Sequence, residues 1–174
     1  MGFQSSFAGT DAPRAEVHAC SGPEWLVGVG FRCWLAGYDT GDITCWENGW
    51  NTYNRVLGPA RAKRAVTELA CWVRCLRAAA SRKIEYNAFD SKRFCADECM
   101  AMSLIAASQH HRCPAMQACA LALTGSDLVD PVIDAANAFA DALQEAEYRL
   151  NQETVAALVA SEARSRGGSL SARR

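Results

Sequence analysis

Cysteine is the residue type whose number and spacing in this chain could support chemistry. Nine of the 174 residues are cysteines, and two pairs, Cys71-x3-Cys75 and Cys95-x3-Cys99, have the spacing of one helical turn. Because residues four apart are neighbours on a helix surface, each pair can present two sulfur atoms to one metal ion. If a short linker folds the two helices antiparallel, four sulfur atoms could converge on zinc or an iron–sulfur cluster.

The second pair also belongs to a denser group of soft or borderline ligands that follows it in the chain, made up of Cys95, Cys99, His110, His111, Cys113 and Cys119. Adjacent histidines on a helix could not both face one metal, so one of the two is expected to cap the preceding helix instead. The predicted metal ligands are therefore Cys95, Cys99, Cys113 and Cys119, with Cys71 and Cys75 as additional ligands.

Two other interpretations of the cysteines stay open. Free cysteine is among the most buried residue types, and Cys95 and Cys99 fall on the apolar stripe of their predicted helix, where a thiol often packs as a small hydrophobic group. Cys71 and Cys75 lie roughly 200° around their helix from Val73, the centre of its buried seam. The third interpretation is a thiol switch, in which the pairs form disulfides reversibly.

Apolar residues recur at helical intervals along most of the chain, and no run alternates as a half-buried strand would. The fold class predicted is all-α, a compact bundle of five to seven helices with short loops. The signals for helix starts are a capping box at residues 21–24, Asp- and Gly-rich residues before the stripe of residues 43–57, Pro59, Ser91, Pro114, and Ser126 or Asp127. The fourth helix should end near Gln109, and Asn151 is a break in the last one.

The domain organisation predicted is one helical domain over residues 21–163. A flexible N-terminal segment, 1–20, precedes it, and a disordered tail, 164–174, rich in Gly, Ser and Arg, follows it. Five tryptophans lie in the first half of the chain. Trp46 and Trp50 fall on a predicted buried stripe, whereas no predicted stripe includes Trp34 or Trp72.

Charge and hydropathy disfavour several classes of partner. A formal net charge of −1 gives no field that would hold nucleic acid, and no apolar run approaches the length of a membrane span. The N-terminus lacks the pattern of a signal peptide, which favours the cytoplasm. Basic residues cluster along the third helix and its exit, where a solvated face is the usual interpretation, at Arg61, Lys63, Arg64, Arg74, Arg77, Arg82 and Lys83.

The functional hypothesis is a cysteine-rich helical protein that binds a metal or cluster, or senses redox state. No phosphate-binding loop, dinucleotide fingerprint or nucleophile with a positioned base is visible, which favours a protein that is not an enzyme. The alternative is an interaction or assembly subunit with inert buried cysteines. Such a subunit would bind a protein partner or form a homo-oligomer through the seam of residues 132–158 or the tryptophan-rich half.

Overall fold

Helices account for most of the computed structural model, which describes the backbone of residues 22–171 and the side chains of residues 22–164. The described residues form α1 (Pro23–Thr40), α2 (Ile43–Leu57), α3 (Pro59–Ala79), α4 (Ala96–Gln109), α5 (Cys113–Thr124), α6 (Asp130–Glu145) and α7 (Gln152–Ser171). No strand occurs among them. The prediction of an all-α bundle of five to seven helices is confirmed.

The central element is α1, which packs against α2, α3 and α4. Every residue from 26 to 35 is buried, so the helix has no solvent-facing side over that stretch. From the sequence alone, the helical spacing of Trp25, Val29 and Cys33 predicts a single buried stripe. The difference arises because neighbouring helices surround α1, and a helix that is apolar nearly all round belongs in a core.

Glycine allows the helices around α1 to approach closely. A Cβ atom added at Gly30 would lie 2.5 Å from the Tyr53 hydroxyl oxygen of α2 and 2.8 Å from a methyl carbon of Leu69 on α3. A Cβ atom at Gly49 of α2 would lie 2.4 Å from the Trp34 ring of α1. These glycines therefore serve packing between helices, although each lowers helix propensity.

The contact face of α2 differs from the predicted stripe. Tyr53 and Leu57 are buried as expected, but Ile43 is 64% exposed and Trp50 is 38% exposed. Gly49 occupies the buried face instead. The prediction that Trp50 is buried is wrong because small and polar residues make the close contact with α1, and a hydrophobicity pattern does not detect them.

Trp72 of α3 lies at the centre of the core. Its side chain is fully buried between Phe31 of α1, at a ring-centroid distance of 5.7 Å, and Phe139 of α6, at 5.6 Å with nearly parallel rings. Trp34 is also buried, with 6% exposure. The two tryptophans that no predicted stripe includes are thus the most buried of the five.

Several helix starts differ from their predicted caps. Gly22 is the N-cap of α1 and makes no side-chain cap, and Ser21 lies outside the described residues. The Glu24 carboxylate instead accepts a 2.6 Å hydrogen bond from the backbone N–H of Asn151, the residue before α7. Neither Ser126 nor Asp127 is the N-cap of α6, because the helix begins after Val129.

The structure describes only part of the predicted terminal segments. The predicted N-terminal segment, 1–20, lies outside the described residues. α7 continues to Ser171, so the predicted disordered tail, 164–174, begins inside a helix, and its last three residues lie outside the described part. Among the helices described, none has both the length and the apolar character that crossing a membrane requires.

We expect Gly30→Ala to destabilise the protein. Helix propensity alone would favour alanine by about 1 kcal/mol, but the new methyl group meets Tyr53 and Leu69, which are fully buried and have little room to move. Overpacking of this kind costs about 1–3 kcal/mol. The free energy of unfolding in urea measures the balance, and a variant as stable as the parent would show that the contact between α1, α2 and α3 is looser than described.

Candidate functional site

The six cysteines predicted as metal ligands do not meet. Cys71 and Cys75 lie on α3, whereas Cys95 and Cys99 lie at the start of α4. The two helices were expected to form an antiparallel pair, but α3 packs mainly against α6 and α2, and α4 against α5, α6, α7 and α1. The expectation is wrong because the linker, residues 80–95, is a long irregular segment that leads the chain past α1.

The remaining ligand candidates are also dispersed. Cys113 is exposed at the start of α5, and Cys119 is half-buried further along that helix. His110 is the C-cap residue of α4, the role expected for one of the two histidines. Within the residues whose side chains are described, no three His, Cys, Asp or Glu side chains form a group that could hold a metal ion. A four-cysteine zinc or iron–sulfur site is therefore not assembled by this part of the chain.

Cys95 and Cys99 do remain together. Both line one cleft of about 390 Å³ between residues 87–95, the first turns of α4, and α7; we call it the thiol cleft. From α7 come Leu158, Ser161 and Glu162. Cys99 is only 2% exposed, whereas Cys95 is half-buried and its thiol donates a hydrogen bond to the backbone oxygen of Glu85 at 3.3 Å.

Cys95 is held in place by the first turn of α4. It is the N-cap residue, and its backbone N–H donates to a carboxylate oxygen of Glu98 at 2.8 Å. The predicted cap, Ser91, lies too early in the chain, and its hydroxyl accepts from the Arg93 backbone N–H within the irregular segment instead. The helix therefore begins four residues later than the sequence indicated.

Glu98 in turn is fixed by a buried ion pair with Arg32 of α1. The guanidinium donates to both carboxylate oxygens, at 2.7 and 3.2 Å, and both side chains are at most 1% exposed. Its other N–H groups donate to backbone oxygens in the irregular segment, those of Ala88, Phe89, Ser91 and Arg93. One arginine thus anchors the wall of the thiol cleft and the residue that positions Cys95.

Sequence reasoning missed this pair. Arg32 is the only charged residue between Trp25 and Gly37 in a stretch otherwise made of apolar residues and glycine. A lone charge in such a run signals a buried partner, since burying an unpaired charge is very unfavourable. The partner could not be named from the sequence, because Asp97 and Glu98 are adjacent and only the start of α4 decides which of them faces α1.

Burial keeps the two thiols of the cleft protonated. It raises the pKa of Cys95 to about 11 and that of Cys99 to about 12, with the charge of Glu162 adding to the effect at Cys99. Burial raises the pKa of Cys33 to about 12 as well. Redox-sensing cysteines have the opposite property, a lowered pKa in an electropositive and accessible setting.

Comparison with known proteins identifies no relative of this chain. No protein-family model matches the chain, and no curated protein or solved structure is significantly similar to it. The chemistry of the thiol cleft therefore has to follow from its own geometry.

We expect Arg32→Ala to destabilise the fold by about 3–5 kcal/mol, because it leaves Glu98 as an unpaired buried charge. Arg32→Lys should recover only part of this loss, since an ammonium group cannot reach the four backbone oxygens of the segment. The matched control is Arg61→Ala, which removes an exposed ion pair with Glu147 and should cost less than about 1 kcal/mol. Urea unfolding measures the stability of all three variants. Equal losses of stability in Arg32→Ala and Arg61→Ala would contradict the anchoring role of Arg32.

Thiol labelling should rank the cysteines by burial. A raised pKa favours the neutral thiol, so at pH 8 the thiolate fraction is lower than for a thiol of pKa 9.0 by about 100-fold at Cys95 and about 1,000-fold at Cys99. Iodoacetamide followed by mass spectrometry should therefore modify the exposed Cys113 before the other cysteines among residues 22–164. Labelling of Cys95 as fast as that of Cys113 in the folded protein would contradict the burial described.

Proposed function

We propose that this protein is a non-enzymatic metal-binding protein that holds a soft monovalent cation, such as Cu(I), between the thiolates of Cys95 and Cys99. The observation that carries the proposal is that both sulfur-bearing side chains line the same solvent-connected cleft, at the spacing of one helical turn. Both cysteines line the cleft, whereas Cys33, which is 2% exposed like Cys99, does not line it.

The number of ligands favours a soft cation over zinc or an iron–sulfur cluster. Structural zinc requires four ligands and clusters are commonly held by four thiolates, whereas the described residues bring only two thiols to the cleft. Thiolates select Cu(I) among the first-row metals by their softness. The predicted zinc or cluster cofactor would need ligands that this part of the chain does not bring together.

The charges around the cleft do not favour hard cations. Arg32 neutralises Glu98, and the cationic residues Lys92 and Arg93 line the same cleft as Glu162. Affinity must therefore come from the metal–sulfur bonds rather than from the local field. Magnesium and calcium, which depend on several oxygen ligands, are not expected to bind.

The competing function is an assembly or interaction subunit with inert thiols. The observation that favours it is the near-complete burial of Cys99 and Cys33 together with their raised pKa values. Both proposals are compatible with the cytoplasmic location that the sequence favours, since a reducing compartment keeps thiols free of disulfides.

Anaerobic titration with Cu(I) against a competing chelator tests the proposal. The reduced protein should bind one equivalent that the double variant Cys95→Ala/Cys99→Ala loses. The matched control is Cys71→Ala/Cys75→Ala, which removes a pair of the same spacing on α3 and should retain that equivalent. Binding must release two protons, so affinity should rise by about 100-fold per pH unit near neutrality.

Two outcomes would overturn the metal proposal. One is that the reduced, folded protein fails to take any Cu(I) from the chelator, which would favour inert thiols. The other is that both double variants lose the same amount of bound Cu(I), which would indicate non-specific binding to cysteine thiols. Circular dichroism of each variant verifies that the helices are retained.

A further inference from the structure

A second cleft, of about 470 Å³, lies where α1 and α3 end and the irregular segment begins. We call it the basic cleft. Four cationic side chains line it, those of Arg74, Arg77, Arg82 and Lys83, together with one carboxylate, Asp39. It shares no lining residue with the thiol cleft, so a site here is independent of the function proposed above.

Two of the four cations are already engaged. Arg82 donates to both carboxylate oxygens of Asp97, at 2.7 and 2.8 Å, and its remaining N–H groups donate to the backbone oxygens of Lys83 and Ala122. Arg77 donates to Asp39 at 3.1 Å. Because carboxylates already neutralise these two arginines, they contribute to the walls of the cleft more than to its positive charge.

The other two cations have no acidic partner among residues 22–164. Arg74 contacts only the sulfur of Cys71, at 3.7 Å, which is a weak acceptor, and no ion pair forms at Lys83 within that range. The one carboxylate that lines the cleft, Asp39, is already paired with Arg77. An arginine fork and a lysine that share a cleft and have no carboxylate partner of their own are groups that bind phosphate in proteins. A solvated helix face would not require Arg74 and Lys83 to line the same cleft.

The uncharged part of the lining fits an organic molecule. Leu35 and Ile84 are buried beneath the cleft and form the apolar part of its lining. The volume of the cleft falls in the range of small-molecule sites. The C-terminal ends of α1 and α3 also lie here, and their partial negative charge reduces the positive potential. A ligand with one negative charge is therefore held weakly, and a ligand with two or more is favoured.

We propose that the basic cleft binds a small organic molecule through a phosphate group carrying at least two negative charges, with Arg74 and Lys83 as the phosphate-binding residues. Arg77 is a positioning residue at the edge of the cleft. Its guanidinium is held by a hydrogen bond to Asp39 and by the Tyr38 ring, whose centre is 5.1 Å away. The apolar surface of Leu35 and Ile84 accommodates the carbon skeleton of the ligand.

Calorimetric titration with pyrophosphate tests this proposal. The 174-residue chain should bind one equivalent. Arg74→Ala and Lys83→Ala should each weaken binding about tenfold, as expected for the loss of one charge-assisted hydrogen bond. The matched control is Lys63→Ala, which removes the same charge from an exposed position of α3 outside the cleft and should leave the affinity unchanged.

Parallel titrations with citrate and with a 20-nucleotide oligothymidylate distinguish the other sources of negative charge. Binding of pyrophosphate in preference to both supports the proposal. Tighter binding of citrate would overturn the phosphate class, and tighter, strongly salt-dependent binding of the oligonucleotide would indicate a nucleic-acid surface. An equal loss in Lys63→Ala and Lys83→Ala, or no binding by folded protein, would also overturn it.

Discussion

The buried ion pair between Arg32 and Glu98 is the interaction that fixes the irregular segment against the central helix and on which the thiol cleft depends. A guanidinium within the central helix is tolerated only if every N–H has a partner, because desolvating an unpaired charge costs several kcal/mol. Glu98 supplies two acceptors, and the backbone of the irregular segment supplies the others. The segment lacks regular structure of its own, so these bonds replace the ladder that a helix or strand would provide.

A second arginine–carboxylate pair holds the other end of the same segment. Arg82 bonds to Asp97 and to the last turn of α5, and Ser81 bonds to the backbone oxygen of Gly125 at 2.6 Å. The adjacent acids at the start of α4 thus each bind one arginine. Residues 80 and 82–84 line the basic cleft and residues 87 and 92–95 line the thiol cleft, so one well-anchored segment separates two clefts of different chemistry.

The two clefts differ in how burial acts on their functional groups. In the thiol cleft, burial favours the neutral thiol and limits reactivity, so only a ligand that displaces the proton, such as a soft metal, can use the sulfur atoms. In the basic cleft the cationic side chains are exposed, and their use depends on whether a carboxylate already neutralises them. Asp39 and Asp97 neutralise two of the four and leave Arg74 and Lys83.

The sequence by itself determined the all-α class and most of the helix limits, because helical periodicity, Pro59, Pro114 and Gly125 are local signals that tertiary contacts did not override. It also identified the Cys95–Cys99 pair, since the spacing of one turn is a local property. Only the tertiary structure decided that α3 and α4 do not pair, that Arg32 selects Glu98 rather than Asp97, and that Trp50 is exposed. Those outcomes depend on which helices surround α1 and how closely glycine lets them approach, and such contacts join residues far apart in the chain.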